Sequence, residues 1–240
     1  MRDRETRIPI DLDIDSEVGP RIRLGIVWAD PVVTAASAPA LDAEMQELAG
    51  SLRERFAGRS PSEIAPLAWA RELYRAFGID PTRTRPSSEA LLRRVVKDKP
   101  LPRILNAVDL CNLCSLRFLL PLGLYDAGKI RPPVRLRQGR PGEAYEGIRK
   151  DDVHLEGRLV LVDRDGAFGN PTSDSLRTSV DPGTTALWMV IFAPSSYPPE
   201  LMDENVRFAR GAMERHLAPK GRTVATAGAG WGNPTGGSVE

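Results

Sequence analysis

The sequence predicts an α+β fold, and three features of its hydrophobic pattern indicate that class. Apolar residues recur at helical spacing in several segments between residues 39 and 120. Segments typical of strands dominate residues 130–193, and two more lie near the N-terminus. Helices and strands are therefore segregated along the chain, whereas a parallel α/β sheet needs their regular alternation.

Two strands begin the predicted fold. Alternate residues are apolar over residues 8–14 and again over residues 22–28, and Gly19-Pro20 separates the two segments. Ala29-Asp30-Pro31 ends the second segment.

Four helices follow in the predicted order. Residues 39–58 carry an amphipathic pattern, and Ser60-Pro61-Ser62-Glu63 is typical of the start of a second helix, which ends at Gly78. A short helix is predicted over residues 87–97. Residues 104–120 are apolar nearly all round, which predicts a buried helix.

The rest of the chain is predicted to contain loops, strands and one more helix. Residues 121–126 and the turn-rich residues 164–183 predict loops, and long loops in compact domains are usually functional or disordered. The remaining predicted elements are strands at residues 134–137, 158–163, 186–193 and 223–227, and a helix at residues 199–217.

The 240 residues fit one large domain or two small ones. We predict a single domain over residues 1–227, with its core motifs in residues 67–194. Residues 228–240 are rich in Gly and Pro and predict a flexible tail.

A polar stripe interrupts the predicted buried helix. Asn106, Asp109, Asn112 and Ser115 recur every three residues and so lie along one slowly turning face. Unpaired polar groups in such a place cost about 1–3 kcal/mol each, so the stripe needs partners. It either pins neighbouring loops or lines a polar pocket.

The charges nearly cancel over the whole chain but not along it. The formal net charge is +1, which excludes a highly basic chromatin-type protein. Residues 71–140, however, carry 15 basic and 6 acidic groups, between two segments of net charge −4. Such a segment lays a positive surface that suits a polyanion, or forms an ordinary solvated face.

Membrane and metal sites are not expected. No apolar run approaches the roughly 20 residues that span a bilayer, and residues 1–7 lack the pattern of a secretory signal, so we expect a cytoplasmic protein. Cys111 and Cys114 have C-x-x-C spacing, but a zinc site needs two more ligands, and His154 and His216 are isolated. We therefore favour packing for the cysteines and expect neither a metal nor a cofactor.

An ordered series of short motifs runs through the middle of the chain. The motifs lie at residues 74–81, 85–91, 101–109, 122–126, 134–137, 142–143 and 159–163. In this order they resemble the stand-alone B3/B4 domain proteins, relatives of the editing domain in the β subunit of bacterial phenylalanyl-tRNA synthetase.

The resemblance implies a fold and an activity. The fold is a mixed or antiparallel sheet arranged as a barrel-like sandwich, flanked by several α-helices. The activity is hydrolysis of the ester that joins a wrong amino acid to tRNA, with tRNA or aminoacyl-tRNA as the partner and the amino-acid moiety as the ligand. Neither DNA nor a membrane is expected as a partner. Gly123 departs from the family, because the synthetase loop has a histidine there.

Ester hydrolysis needs a positioned water and donors for the developing oxyanion. We assign Asp174 as the residue that orients the water, and Thr184 or Thr185 as the donor to the oxyanion. The residues expected in a substrate pocket are Asn106, Asp109, Asn112, Gly123, Tyr125, Asp126, Glu143 and Arg177. The candidate phosphate contacts are Arg83, Arg85, Arg93, Arg94, Lys97, Lys99 and Arg103.

Three functions stay open on the sequence. The first is a free-standing aminoacyl-tRNA deacylase. The second is a module that binds an aminoacyl group, a free amino acid or RNA without cleaving it, which the missing histidine favours. The third is a hydrolase or transferase acting on a small acyl substrate.

Overall fold

Five α-helices and ten β-strands form the part of the chain that the computed structural model describes, residues 9–148, 152–218 and 220–228. The helices are α1 (Pro39–Phe56), α2 (Leu67–Ala76), α3 (Ser87–Val96), α4 (Asn106–Phe118) and α5 (Pro199–His216). The strands are β1 (Leu12–Ile14), β2 (Ile22–Asp30), β3 (Leu122–Asp126), β4 (Val134–Gln138), β5 (Ala144–Glu146), β6 (Asp152–His154), β7 (Leu159–Asp163), β8 (Gly166–Gly169), β9 (Leu187–Pro194) and β10 (Arg222–Gly228).

Eight of these strands form two four-stranded sheets. The first has the order β1-β4-β7-β8 and is mixed, because β1 runs parallel to β4 while the other pairs are antiparallel. The second has the order β10-β2-β9-β3 and is antiparallel throughout. Strands β5 and β6 pair separately. The predicted α+β sandwich flanked by helices is confirmed, and the described strands form no closed barrel.

The central strands β2 and β9 are covered on both faces. One face, with Trp28 and Trp188, packs against the first sheet, and the other, with Val27 and Met189, packs against the helices. Successive side chains of a strand point to opposite faces, so both sets must be apolar. This explains why residues 187–194 are all buried.

Helices α1, α4 and α5 cover the outer face of the second sheet. Helix α4 contacts α1, α3, α5 and β3, which confirms the buried helix that the sequence predicts. It ends at Phe118, and the next residue, Leu119, has a left-handed backbone with φ 54°. No helix in residues 9–148, 152–218 and 220–228 is long and apolar enough to cross a membrane. In the same ranges no three His, Cys, Asp or Glu side chains gather as a metal site would require.

Several predicted elements differ from the observed ones, and strands β5 and β6 were not predicted. The predicted loop at residues 121–126 is strand β3, because β9 supplies ladder partners to a segment whose Pro and Gly are typical of a turn. The predicted loop at residues 164–183 contains β8, which pairs with β7. The second predicted helix begins with a 3₁₀ turn at Pro61–Glu63, and α2 itself starts at Leu67, directly after Pro66.

Parts of the sequence prediction lie outside the described residues. These are the N-terminal residues 1–8, which include Ile8 of the first predicted strand, residues 149–151 and 219 of the predicted domain, and residues 229–240 of the predicted tail.

Candidate functional site

A cavity of about 380 Å³ lies between α4, the edge of β3 and the segment that follows β8. Its wall is mostly apolar and includes Leu91, Val108, Leu122, Leu124 and Ile148. The volume falls in the range of about 300–1,000 Å³ that is typical of small-molecule sites. The cavity can therefore hold a ligand of amino-acid size.

Helix α4 presents its polar stripe in two ways. Asn106 pins the chain before α1: it donates to the carbonyl of Val33 at 2.9 Å and accepts from the N–H of Ala35 at 2.8 Å. Ser115 donates to the carbonyl of Leu120 at 2.9 Å. These two side chains therefore stabilise loops, as the first reading of the stripe predicts.

The remaining members of the stripe differ from each other. Asp109 lies near the start of α4 and accepts from the N–H of Ile104 at 3.3 Å. Burial raises the pKa of its carboxyl group. Asn112 lines the cavity, and its amide has no hydrogen-bond partner among the described residues. Asn112 is thus available to a ligand.

The segment 170–174 forms one wall and is held from three sides. Asn170 closes a tight turn by accepting from the N–H groups of Thr172 and Ser173, at 2.7 and 2.9 Å. The hydroxyl of Tyr74 donates to the carbonyl of Pro171 at 3.0 Å. The hydroxyl of Tyr145 donates to the carbonyl of Ser173 and accepts from Asn170. The wall is therefore rigid although it contains no regular element.

Asp174 ends this segment and lies beside the edge of β3. Its Oδ2 accepts from the N–H of Leu124 at 3.3 Å, while its Oδ1 is shielded from solvent and has no hydrogen-bond partner among the described residues. Burial raises the pKa of Asp174 to about 7, although the Tyr125 hydroxyl and the Leu124 N–H lower it. The carboxyl group therefore exchanges its proton close to neutral pH.

Cys111 lies on the same cavity wall as Asn112. Burial raises the pKa of its thiol, and the negative charge of Asp174 raises it further. The thiol is therefore protonated at neutral pH and is a poor nucleophile. Cys114 is fully buried, and both cysteines are free.

Five other predicted pocket or catalytic residues lie away from the cavity lining. Thr184 donates to Oδ2 of Asp126 at 2.7 Å, and the exposed Thr185 follows it. Glu143 accepts from both terminal nitrogens of Arg137 and from the N–H of Arg140. Arg177 makes a bidentate ion pair with Asp163, at 3.1 and 2.8 Å. In the structure all of these side chains except the exposed Thr185 hold turns and strand ends, and the predicted roles of the five residues in substrate binding or catalysis stay predictions.

Gly123 and Tyr125 lie on the opposite face of β3 from the cavity. Leu122 and Leu124 line the cavity, and in a strand the residues between them must point the other way. Tyr125 is accordingly buried in the core between the two sheets.

The predicted phosphate contacts are mostly at the surface of α3 and the segment after it. Arg85 and Arg93 each lie 3.7 Å from the buried carboxylate of Glu89, which also binds Arg71. Lys97 and Lys99 are exposed, and Arg94 donates to the carbonyl of Pro100.

The other two predicted phosphate contacts are already in ion pairs. Arg83 lies 3.8 Å from Asp80, and Arg103 is paired with Asp42. Among the predicted contacts, the cations without a described partner are thus Lys97 and Lys99, which directly follow α3, and α3 also supplies Ser87 and Leu91 to the cavity wall.

The sequence predicted roles for Asp174 and Asn112, both of which line the cavity, but not the apolar wall or the two tyrosines that hold it. A signal for the turn was present, because Asn170-Pro171-Thr172 is typical of a turn closed by an Asn side chain. No local signal pairs Tyr74 or Tyr145 with this segment, since both contacts join distant parts of the chain.

Comparison with known proteins adds a family and a fold. A family model described as the B3/4 domain matches residues 69–217, a span that includes every residue of the cavity wall. The chain is similar in fold to an N-terminal fragment of the phenylalanyl-tRNA synthetase β subunit from Pyrococcus horikoshii, with 11% sequence identity and a TM-score of 0.50. The similarity covers 92% of this chain and 55% of that fragment, so the chain spans about half the fragment's length. No curated protein matches the chain in sequence.

Proposed function

The chain belongs to the B3/4 domain family, and from that premise we propose that it hydrolyses the ester between an amino acid and tRNA, with the aminoacyl group held in the cavity. The observation that carries the proposal is the carboxyl group of Asp174, which lies on the mostly apolar wall of the cavity and whose pKa burial raises to about 7. A general base works best when its pKa lies near the operating pH.

The proposed step uses Asp174 first as a base and then as an acid. A water oxygen attacks the ester carbonyl carbon while one proton of that water passes to the Asp174 carboxylate. The tetrahedral intermediate collapses, the bond between the carbonyl carbon and the ribose oxygen breaks, and Asp174 returns the proton to that oxygen. The products are a free amino acid and uncharged tRNA.

Asn112 is the side chain that we assign to the developing oxyanion. Its amide lies on the cavity wall without a hydrogen-bond partner among the described residues, so its N–H groups are free to donate. Donors that are fixed before the reaction stabilise a tetrahedral intermediate more than its ester precursor. Asn112 thus replaces Thr184 and Thr185 in our assignment of the donor.

The cavity wall favours an amino acid with an apolar side chain. Val108, Leu122 and Ile148 offer no hydrogen bonds to a polar side chain. Burial of apolar surface contributes roughly 25 cal/mol per Å², whereas an unpaired polar group costs about 1–3 kcal/mol. We therefore propose aliphatic or other apolar aminoacyl groups as the substrate class.

Helix α3 connects the cavity to the proposed tRNA surface. Its residues Ser87 and Leu91 belong to the cavity wall, while Arg94, Lys97 and the following Lys99 are at the surface. An aminoacyl group in the cavity leaves the terminal nucleotides outside it, where cations neutralise phosphates.

The test is deacylation of a panel of mischarged tRNAs by the purified protein. We expect hydrolysis of apolar aminoacyl esters, and a loss of about 100-fold or more for Asp174→Asn, which removes the base. Asp203→Asn, at an exposed position on α5, is the matched control and should retain activity. Hydrolysis of every mischarged tRNA at the rate seen in buffer alone would contradict the proposal.

Two alternatives predict different results in thermal-stability and activity measurements. A binding module would be stabilised against heat by the aminoacyl-tRNA while that tRNA survives intact. A hydrolase or transferase for small acyl substrates would keep its full activity when the charges of Arg93 and Arg94 are reversed.

A further inference from the structure

Tyr125 is held in a tight space between the two sheets. Its ring makes an edge-to-face contact with Phe168, at 5.1 Å between centroids, and lies 5.8 Å from Trp188. A Cβ atom at Gly123 would lie 2.1 Å from the Tyr125 hydroxyl oxygen, and one at Gly169 would lie 2.2 Å from it. The hydroxyl therefore fits beside β3 and β8 only because positions 123 and 169 are glycines.

This hydroxyl has no hydrogen-bond partner of standard geometry among the described residues. A buried hydroxyl without a partner destabilises the folded protein, and phenylalanine would fill the same ring position without that penalty. Oδ1 of Asp174 is shielded in the same way and also lacks a partner. The two groups are neighbours, because Asp174 accepts from the N–H of Leu124, the residue before Tyr125. Burial is the largest cause of the raised pKa of each group, and in addition the Tyr125 hydroxyl lowers the pKa of Asp174 while the charge of Asp174 raises that of Tyr125.

We propose that Tyr125 is a positioning residue, whose hydroxyl donates to the ionised carboxylate of Asp174 and holds it at the cavity wall. Hydrogen bonds of catalytic groups are often long without substrate and tighten in the complex, which agrees with the absence of an ideal bond here. The catalytic consequence rests on the proposed function, but the contact between the two side chains does not.

The other titratable groups around Asp174 do not compete for this role. Cys111 of α4 and Tyr145 of β5 both interact with Asp174, and burial raises the pKa of each. The hydroxyl of Tyr145 already donates to the carbonyl of Ser173. Arg158 acts on Tyr145 rather than on Asp174.

The test is the titration of the Asp174 carboxyl carbon by NMR in ¹³C-aspartate-labelled protein. In Tyr125→Phe we expect the midpoint to rise by about one pH unit, because the donor to the charged form is lost. The ascending limb of the pH–rate profile for deacylation should move to higher pH by the same amount.

Tyr74→Phe is the matched control, since it removes the hydroxyl of another buried tyrosine that holds the same segment. It should leave the Asp174 midpoint unchanged. An unchanged midpoint in Tyr125→Phe, or an equal shift in both variants, would overturn the proposal. A shifted midpoint in a protein without deacylase activity would support the contact while refuting the proposed function.

The unsubstituted protein offers a second measurement that does not depend on how a variant folds. The Cζ resonance of Tyr125 should change with pH at the same midpoint as Asp174, because the hydroxyl senses that carboxylate directly. A Tyr125 resonance that does not change across the Asp174 titration would contradict the contact.

Discussion

The ionised form of the Asp174 carboxyl group is less stable in the folded protein than in water, because the apolar cavity wall replaces much of its hydration. The one described hydrogen bond to it comes from the N–H of Leu124. Folded protein therefore holds the carboxyl proton up to a pKa of about 7, whereas the unfolded chain releases it near the ordinary value of about 4. Between these two values the folded state binds more protons, so the free energy of unfolding falls as the pH rises.

This reasoning predicts that Asp174→Asn stabilises the protein in alkaline solution. Asparagine keeps an oxygen that can accept from Leu124 but carries no charge. The variant should exceed the wild type in free energy of unfolding by an amount that grows by roughly 2–3 kcal/mol between pH 5 and pH 8. Urea denaturation at the two pH values measures this difference.

Asp203→Asn makes the same chemical change at the exposed position on α5 and serves as the control. Its denaturation should follow the wild type at both pH values. A difference between Asp174→Asn and the wild type that stays constant with pH would show that Asp174 is ordinarily hydrated. Together with the deacylation assay, Asp174→Asn tests whether the carboxyl group that lowers stability is also the one that activity requires.

At the scale of elements, β3 joins the cavity to the core. Its even-numbered residues Leu122 and Leu124 line the cavity, while Gly123 and Tyr125 face the space between the sheets. Tyr125 reaches back along the strand, so its hydroxyl occupies the position where a side chain of residue 123 would begin. A histidine at this position is therefore incompatible with Tyr125 in its present place.

We predict that Gly123→Ala lowers the free energy of unfolding by about 1–3 kcal/mol, the usual effect of overpacking. The added Cβ would lie 2.1 Å from the Tyr125 hydroxyl oxygen, and the ring cannot move away because Phe168 and Trp188 pack against it. Adding Tyr125→Phe removes the closest contact and should recover part of the loss. Chemical denaturation of the single and double variants measures the coupling.

Gly50→Ala is the control for this substitution. Gly50 lies inside α1, where a Cβ would meet no atom within 4 Å. Alanine there should raise stability by about 0.5–1 kcal/mol, as helix propensity requires. Equal effects at positions 50 and 123 would contradict the packing described for β3.

These elements also show what the sequence could and could not predict. Helix α4 was predictable because its apolar residues and its polar stripe follow a local period. β3 and β8 were not, since they carry glycines typical of turns, and the reason for Gly123 and Gly169 is a tyrosine that packs against both. At the site, Asn112 follows from the stripe, whereas the roles of Tyr74 and Tyr145 depend on contacts across the fold.

At the scale of the whole molecule, most of the basic side chains in residues 71–140 make ion pairs, hydrogen bonds or ring contacts within the fold. Arg71 binds Glu89, Arg135 binds Asp13 and Arg137 binds Glu143. Arg117 lies over the ring of Phe208 at 4.2 Å. Exposed cations that no described carboxylate pairs include Lys97 and Lys99 just after α3, with Arg75 and Arg140 elsewhere in the segment, so the surface that suits a polyanion is smaller than the segment charge of +9 suggests.

Lys97→Glu combined with Lys99→Glu should therefore weaken tRNA binding and reduce its dependence on salt. Each phosphate contact that is lost lowers the slope of log affinity against log salt concentration by about 1, so the double variant should lose about 2. Arg207→Glu combined with Lys220→Glu changes the net charge equally at exposed positions on α5 and before β10, and should leave the slope unchanged.

Hydrolysis of a short aminoacyl ester of adenosine separates the two parts of the site, because this substrate fills the cavity but has no phosphate backbone. Its rate should be the same in both double variants and in the wild type. A salt slope that falls equally in the two double variants would show that tRNA responds to the overall charge of the molecule and not to α3.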